Sequence, residues 1–464
     1  MNKLIVSGIV GTMMTFPVIA SAQDAEQKTQ DLETRLQAIE QKLDAVSFIK
    51  DWEFHGYGNV GLRYNDDLSS TSTTFGKGDY FLGITGTSEN ANQVEWITKK
   101  KFATEGGAWG NFIIRSEYGN GDSYLYSSSG SEHDNGKANY EVKEAYVELG
   151  GLSILPENAS LWAGRKFHNR NATALSGEFY KQSSGVGFGY SQDKLALAVV
   201  ATDPGAENGK DSANLLPIGK SNKTITSVEG EYGFNVPGGS LTLAGKFYTQ
   251  ANADITKTKD EEGNWVESKN SNAAETGFGV GVIYNTKFYG MNGWAQHAVA
   301  YGTGIGANAK GLNFGQWVDG ADEDAKTFFF SSYGMGNLTD KIQLGTEVTF
   351  MSGDTLYGQE SLQRGGISLR PSFKVNDNFR FELGATVGMQ TLDNPGAWGK
   401  SEDTEIRIGV SAAPTFTINS DYYGRPQIQP FVTYFTTNDK SGFGGEYGDD
   451  DSAVVFGVKG EVWF

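Results

Sequence analysis

Much of this chain alternates strictly between apolar and polar residues, which is the pattern of a β-strand whose two faces meet different surroundings. The carboxyl-terminal segment, residues 454–464, shows it most clearly. One face carries Phe456, Val458, Val462 and Phe464, and the other carries Lys459, Glu461 and Trp463. An apolar strand face that ends on a terminal aromatic residue is typical of the closing strand of an outer-membrane β-barrel. An amphipathic strand of a soluble β-sandwich is the alternative for this segment alone.

The same alternation continues along most of the chain after residue 51. It is clear in the segments 54–64, 379–389, 405–410 and 427–434. The longer of these approach the ~9–11 residues that a tilted membrane-spanning strand needs. Short connections and long polar ones lie between such segments, as they do at the two ends of a membrane barrel.

A soluble β-sandwich would normally split into domains near ~250 residues. We therefore expect residues 51–464 to form one all-β, antiparallel transmembrane barrel. Closing the sheet into a barrel also removes the free edges that so many strands would otherwise expose.

The segment before the barrel has a different period. Between residues 27 and 46, apolar side chains recur at alternating spacings of four and three, which is the seam of a coiled coil. They are Leu32, Leu36, Ile39, Leu43 and Val46. So short a coiled coil needs partner copies to be stable. We predict a coiled-coil segment over residues 23–50, with a single amphipathic helix lying on the protein as the alternative.

Residues 1–22 have the features of a secretory signal peptide. Lys3 is followed by an apolar stretch, and Ala20-Ser21-Ala22 forms a small-residue cleavage site. No other segment approaches the ~20 consecutive apolar residues of a transmembrane helix. An exported chain of this kind is either soluble or a barrel, and the alternation favours a barrel in the bacterial outer membrane.

Composition supports many strands and narrows the possible chemistry. The chain has 62 glycines, 10 prolines and 12% aromatic residues, and no cysteine. It can therefore form no disulfide and no cysteine-based metal site. A formal charge of −18 disfavours nucleic-acid binding. Acidic runs such as residues 322–324 are expected in solvated loops, with a calcium site as the minor alternative because the ligand spacing is irregular.

The inward face of such a barrel carries its function. The alternation places Tyr57 inward on the first strand and Trp463 inward on the last, and these strands are neighbours once the barrel closes. Gln427, Gln429 and Tyr423 are expected to share another inward face. A sugar ring can stack its C–H face on aromatic rings while its hydroxyls pair with polar side chains. Aromatic residues that merely fill space are the alternative.

Several motifs resemble the maltoporin-type carbohydrate porins, including those with a periplasmic coiled coil before the barrel. The most specific is the block at 161–170, which reads LWAGRKFHNR. The others are FHGYG at 54–58, Glu144-Ala145, Arg425-Pro426 and EVWF at 461–464.

This resemblance implies a homotrimer of 18-stranded barrels, each with a third loop that folds inward to narrow the pore. It implies an aromatic slide flanked by a track of polar and charged residues. The slide would consist of Tyr57, Tyr423 and Trp463, and the track would include Arg170, Glu178, Tyr180, Glu95 and Lys143.

Three departures from the family pattern bear on specificity. Tyr423 stands where the family commonly has tryptophan, Lys143 where it has arginine, and Asn59 where a further arginine is expected. Lys143 also shares its strand face with apolar residues, so its inward placement requires a β-bulge or a rim position. Because only arginine offers a planar fork of donors, the identity of the sugar stays open among maltodextrins, sucrose, aryl-glucosides and other oligosaccharides.

We predict a passive oligosaccharide channel, without enzymatic activity or cofactor, embedded in outer-membrane lipid. A general diffusion porin without sugar specificity is the main alternative. A barrel enzyme is disfavoured because none of the four histidines lies in a nucleophile motif, and an adhesion barrel would act through its loops. The coiled coil could contact the cell wall or a periplasmic partner.

Overall fold

The computed structural model describes residues 34–37, 51–65, 93–119, 139–177, 179–202, 224–259, 265–315, 318, 320–439 and 451–464. The chain divides into two units, Met1–Trp52 and Glu53–Phe464. Within the first unit, residues 34–37 are helical. The predicted signal peptide (1–22) and nearly all of the predicted coiled-coil segment (23–50) lie outside the described residues.

The second unit is built almost entirely of strands. In chain order they are β1 (Trp52–Asn65), β2 (Gln93–Ala103), β3 (Trp109–Gly119), β4 (Asn139–Gly150), β5 (Ala159–Ala172), β6 (Phe179–Gln192), β7 (Leu195–Thr202), β8 (Ile225–Val236), β9 (Gly239–Gln250), β10 (Ile255–Lys259), β11 (Trp265–Lys269), β12 (Thr276–Thr286), β13 (Gly293–Gly304), β14 (Leu312–Phe314), β15 (Lys326–Asn337), β16 (Ile342–Leu356), β17 (Gln359–Asn376), β18 (Phe379–Leu392), β19 (Thr404–Thr417), β20 (Gln427–Thr437) and β21 (Ser452–Trp463). Short helical turns occupy Phe288–Gly290, Ile305–Asn308 and Pro395–Trp398.

These strands form a closed antiparallel barrel. Each wall strand pairs with the next along the chain, and β1 pairs with β21 to close the sheet. The strand β14 joins the sheet from inside, through a parallel pairing with β6, and β10 and β11 form a separate hairpin. The wall therefore has 18 strands, and the predicted all-β antiparallel barrel is confirmed.

Alternation along the wall separates an outward apolar face from an inward face. On β12, Phe278, Val280 and Val282 are exposed on the outside, while the glycines between them are buried. Outward apolar side chains suit contact with lipid, where no water would hydrate them. No helix among the described residues combines the length and the apolar character needed to cross a membrane.

The two ends of the barrel differ in their connections. At one end, which we call the short-turn end, strands are joined by segments such as 193–194 and 237–238. At the other, the long-loop end, connections such as 203–224 and 251–275 occur. The predicted asymmetry is thus present. One long polar stretch at this end, residues 256–274, contains β11 and most of β10, so part of it is a hairpin.

Three connections fold into the barrel. We call them the constriction loop (173–178, between β5 and β6), the cover loop (305–315, after β13) and the crossing turn (418–426, between β19 and β20). The cover loop lies on an inner wall of glycines on β12. A Cβ on Gly279 would overlap the carbonyl oxygen of Gly311, and one on Gly281 would overlap the Leu312 side chain. Glycine is required there because the loop approaches the wall too closely for any side chain.

Candidate functional site

Two aromatic residues meet at the seam of the barrel, near its short-turn end. Tyr57 on β1 and Trp463 on β21 are direct cross-strand partners. Their strands were predicted to be neighbours, and that prediction is confirmed. The Tyr57 hydroxyl lies 3.4 Å from Oε1 of Glu461, and Trp463 is 40% exposed. The pair therefore combines an aromatic surface with a carboxylate beside it.

The crossing turn extends these aromatic residues across the lumen. Tyr423 lies in this turn rather than on a strand, and its ring stacks on Trp294 of β13 at 6.4 Å between centroids. The turn is held against the inner face of β16 because the Tyr422 N–H donates to Oε1 of Gln343 at 2.7 Å. Burial raises the pKa of Tyr423 to about 12, so its hydroxyl stays protonated near neutral pH and can both donate and accept.

Arg425 connects the crossing turn to the seam. Its guanidinium carbon lies 4.2 Å from the Trp463 ring centroid, a cation–π contact. Its Nε donates to Oε2 of Glu461 at 2.8 Å, and Gln427 donates to the same oxygen at 2.8 Å. Arg425 and Glu461 thereby hold the Trp463 ring in place. The aromatic residues thus form a series that runs from β1 and β21, through the crossing turn, to β13.

Arg170 lies near the end of β5, three residues before the constriction loop begins. The guanidinium of Arg170 packs 4.2 Å from the Phe179 ring centroid and 5.2 Å from that of Phe167. The side chain is exposed, and it makes no hydrogen bond to any residue that the structure describes. Its donors are therefore open to a ligand in the channel.

Other predicted residues of this loop are placed differently. Tyr180 is 0% exposed, its ring stacks on Phe329 at 5.6 Å, and its hydroxyl bonds to the Gln296 amide oxygen. It packs the loop against the wall instead of lining the channel. Glu178 lies outside the described residues.

The predicted track residues on β2 and β4 form ion pairs. Glu95 is buried and accepts a hydrogen bond from Nε of Arg115 at 3.1 Å. Lys143 is the extra residue of a β-bulge, where Arg115 pairs with Glu144 but Ser116 pairs with Val142. The bulge turns Lys143 toward Glu141, at 2.8 Å from its Oε2. The predicted requirement for a bulge is thus met.

A buried polar cluster lies on the inner wall between β5 and β9. Lys246 Nζ is 2.7 Å from Oε2 of Glu229, which also accepts from the Ser183 hydroxyl at 2.5 Å. His168 lies 3.6 Å from the other Glu229 oxygen, and its ring packs 5.1 Å from the Trp162 ring. Among the described residues, no group of three or more His, Asp or Glu side chains could hold a metal ion.

Sequence reasoning missed several residues of the site. Trp294 and Tyr333 join the aromatic residues near Tyr423 and Tyr180, with their rings 5.8 Å apart. Arg115 supplies an arginine beside Glu95. Strand alternation could have placed all three inward, but no local signal shows that the crossing turn and the constriction loop reach them.

The chain is similar in sequence to maltoporins of other bacteria. Maltoporin of Vibrio cholerae serotype O1 is 24% identical over 83% of this chain and 93% of its own length. Maltoporin 1 of Klebsiella pneumoniae is 22% identical over 90% of this chain and 95% of its own length. A mutant porin of Rhodopseudomonas blastica, among solved structures, covers 89% of this chain at 12% identity with a TM-score of 0.38.

The family match spans the whole barrel. Residues 52–464 match the family described as LamB porin, from the first residue of β1 to the end of the chain. The match includes the closing strand, the block before the constriction loop and the seam that joins Tyr57 to Trp463. The chain belongs to the LamB porin family and forms a β-barrel of the bacterial outer membrane.

Proposed function

We propose that this protein is a passive channel for oligosaccharides, in which sugar rings move along the aromatic residues of the lumen. The observation that carries the proposal is the aromatic series from Tyr57 and Trp463, through Arg425, to Tyr423 and Trp294. It presents exposed ring faces beside polar groups, the combination that suits stacked sugars. The relatives named maltoporin support the same substrate class.

We assign the stacking role to Tyr57, Tyr423 and Trp463. The Glu461 carboxylate beside Tyr57 and the Arg425 guanidinium beside Trp463 then lie where the hydroxyls of a stacked ring would be. Each stacked ring contributes only a modest free energy. Conduction requires this, since a sugar must bind well enough to enter and weakly enough to leave.

We assign hydrogen bonding with sugar hydroxyls to Arg170 and Lys143, together with Glu178. Arg170 is exposed at the constriction loop with its donors open. Glu95 acts through Arg115, which it holds in place, and Tyr180 acts by fixing the loop. In this proposal the sugar hydroxyls bond mainly to the Arg170 and Lys143 donors and to the Glu178 carboxylate.

The proposed assembly is a homotrimer whose periplasmic amino-terminal segments, residues 23–50, associate as a coiled coil. The heptad spacing of apolar residues in that segment supports it. Three copies placed side by side by their barrels would supply the partner helices that so short a coiled coil needs. This segment would then be free to meet the cell wall or a periplasmic partner.

One double substitution tests the stacking assignment. Tyr57→Ala with Trp463→Ala removes both rings at the seam, so we expect the block of ion current by maltodextrins in planar bilayers to weaken by roughly tenfold or more, at about 1 kcal/mol per lost ring. The matched control is Tyr64→Ala with Phe456→Ala. These residues are cross-strand partners on the same two strands but face outward.

The control should leave sugar block unchanged. If the inward and outward double variants change the sugar block of the current to the same extent, the stacking assignment is wrong. If no sugar in a panel of maltodextrins, sucrose and aryl-glucosides blocks the wild-type current, the protein is a general diffusion porin instead.

A further inference from the structure

Glu347 is a buried carboxylate on the inner wall that the proposed sugar pathway does not use. It lies on β16, pairs across the sheet with Tyr333, and is 3% exposed. Within the described part of the chain it makes no ion pair with a lysine or arginine. A buried carboxylate is costly unless other donors satisfy it. Its partners therefore show what the residue does.

All of those partners come from the constriction loop. The Leu175 N–H donates to Oε2 at 2.6 Å, and the Ser176 N–H lies 3.2 Å from each carboxylate oxygen. The Ser176 hydroxyl also donates to Oε1. Three donors from adjacent loop residues thus converge on one carboxylate.

The contact crosses the lumen. The constriction loop leaves the wall between β5 and β6, whereas β16 is separated from β6 by β7, β8, β9, β12, β13 and β15 around the sheet. In a wall of 18 strands, this places Glu347 nearly opposite the origin of the loop. The loop tip is therefore tied to the far wall and not to the strands that carry it.

The cover loop holds the other side of the constriction loop. The Asn313 amide donates to the Phe179 carbonyl at 3.0 Å, and β14 pairs with residues 181–183 of β6. These contacts fix the segment where the constriction loop rejoins β6, but they do not reach the loop tip. If Glu347 were removed, that segment would stay fixed while the tip at Leu175 and Ser176 lost its anchor.

We propose that Glu347 is the positioning residue that sets the width of the constriction, by holding the loop tip across the lumen. The proposal rests on the proposed function only where it concerns sugar, because the width of the pore also governs the current of small ions. Ion conductance without sugar tests the anchor, and sugar block of the wild type tests the function.

The first variant is Glu347→Gln. An amide of the same shape presents one acceptor and one donor group, so it cannot accept from all three loop donors and places its own N–H groups against theirs. We expect the sugar-free single-channel conductance to rise by roughly twofold, with a larger spread of open levels as the tip moves. The sugar block should weaken in parallel.

Two further variants show that the effect belongs to this contact. Glu347→Asp keeps both acceptor oxygens on a shorter side chain and should give an intermediate conductance. Glu405→Gln removes another buried, inward-facing carboxylate, which pairs with Lys400 on the loop after β18 and not with the constriction loop. It should leave the conductance as in the wild type. Heat-modifiable migration of each variant on gels checks that the barrel has folded.

A reversible tether gives the decisive measurement. Because the chain has no cysteine, the double variant Ser176→Cys with Glu347→Cys contains a single pair of thiols. We expect wild-type conductance when that pair is oxidised and the raised conductance after reduction, in the same folded protein.

Equal conductance in the oxidised and reduced states would overturn the proposal, as would wild-type conductance in folded Glu347→Gln. If instead the tether controls ion conductance while no sugar blocks the wild-type channel, the anchor stands and the proposed function fails.

Discussion

The Arg170 side chain makes no hydrogen bond to a described residue, whereas the predicted polar residues Glu95 and Tyr180 are both bound to neighbouring side chains. Glu95 is bound to Arg115, and the Tyr180 hydroxyl is bound to Gln296. The Arg170 guanidinium packs on two phenylalanine rings. Such stacking orients a planar fork of donors at little entropic cost, so this residue is well placed to pair with two hydroxyls at once.

Arg170→Lys should therefore weaken sugar binding while preserving charge. Lysine has neither the planar fork nor the flat face that stacks on Phe179. We expect sugar block of the current to weaken by roughly threefold to tenfold, for a loss of about 1 kcal/mol. The ion conductance without sugar should change little. Lys269→Gln, an exposed charge on the β10–β11 hairpin, is the control and should alter neither quantity.

At the scale of elements, inward-folded segments fill part of the barrel. The cover loop fits against the wall only because β12 and β13 carry glycines on their inner faces, among them Gly279 and Gly302. Leu312 of the cover loop joins Tyr180, Ile283 and Phe329 in an apolar cluster inside the barrel. The open channel is consequently confined to the remaining part of the lumen, where the aromatic residues lie.

Gly279→Val should displace the cover loop. Its Cβ would overlap the Gly311 carbonyl, so the loop must move, and overpacking of this kind costs roughly 1–3 kcal/mol. We expect a lower unfolding temperature and new protease cleavage within 305–315. Gly245→Ala is the matched control on the neighbouring strand, because its Cβ would have no atom nearer than 3.9 Å. Cleavage in both variants, or in neither, would contradict the close fit described for Gly279.

Removing only one partner of the Lys246–Glu229 ion pair should destabilise the protein more than replacing both partners with apolar residues. Lys246→Ala leaves a buried carboxylate without its cation, which costs about 3–5 kcal/mol. Lys246→Met with Glu229→Leu removes both charges and should restore much of the lost stability. Urea unfolding in detergent, followed by tryptophan fluorescence, measures the difference. A double variant no more stable than Lys246→Ala would show that the pair itself, and not its charge balance, stabilises the inner wall.

At the scale of the whole molecule, the barrel is closed by its own first and last strands. The pairing of β1 with β21 runs from Tyr57 to Asn65, and the Gly56 and Phe464 backbones exchange two further hydrogen bonds at 3.1 Å. The family match likewise begins at residue 52. Barrel formation and conduction thus depend on residues from the start of β1 onward.

Deletion of residues 23–50, with the signal peptide retained, should leave a folded barrel with wild-type conductance and sugar block. The contacts that close the sheet all lie outside that segment. Chemical cross-linking tests the proposed trimer separately: the yield of cross-linked trimers should be unchanged if the barrels hold it together and lower if the coiled coil does. Loss of channel activity in the correctly inserted deletion variant would contradict the expectation that the barrel functions without residues 23–50.

The sequence by itself determined the class of fold and the faces of the strands. Alternation with a period of two is a local property of extended backbone, so it placed Tyr57 and Trp463 inward and Phe456 and Val458 outward. The number of strands came from the family resemblance and not from counting. Lys143 could be predicted only conditionally, since the bulge that turns it inward depends on pairing with β3.

Only the tertiary structure decided which connections enter the lumen and what they contact. Tyr423 lies in a turn and reaches Trp294, Tyr180 is buried at the start of β6, and Leu175 in the constriction loop contacts Glu347 on the far wall. The partners in the last contact are 172 positions apart. Contacts between such distant residues leave no periodic trace in either segment, because they depend on closure of the barrel, which brings opposite walls within reach.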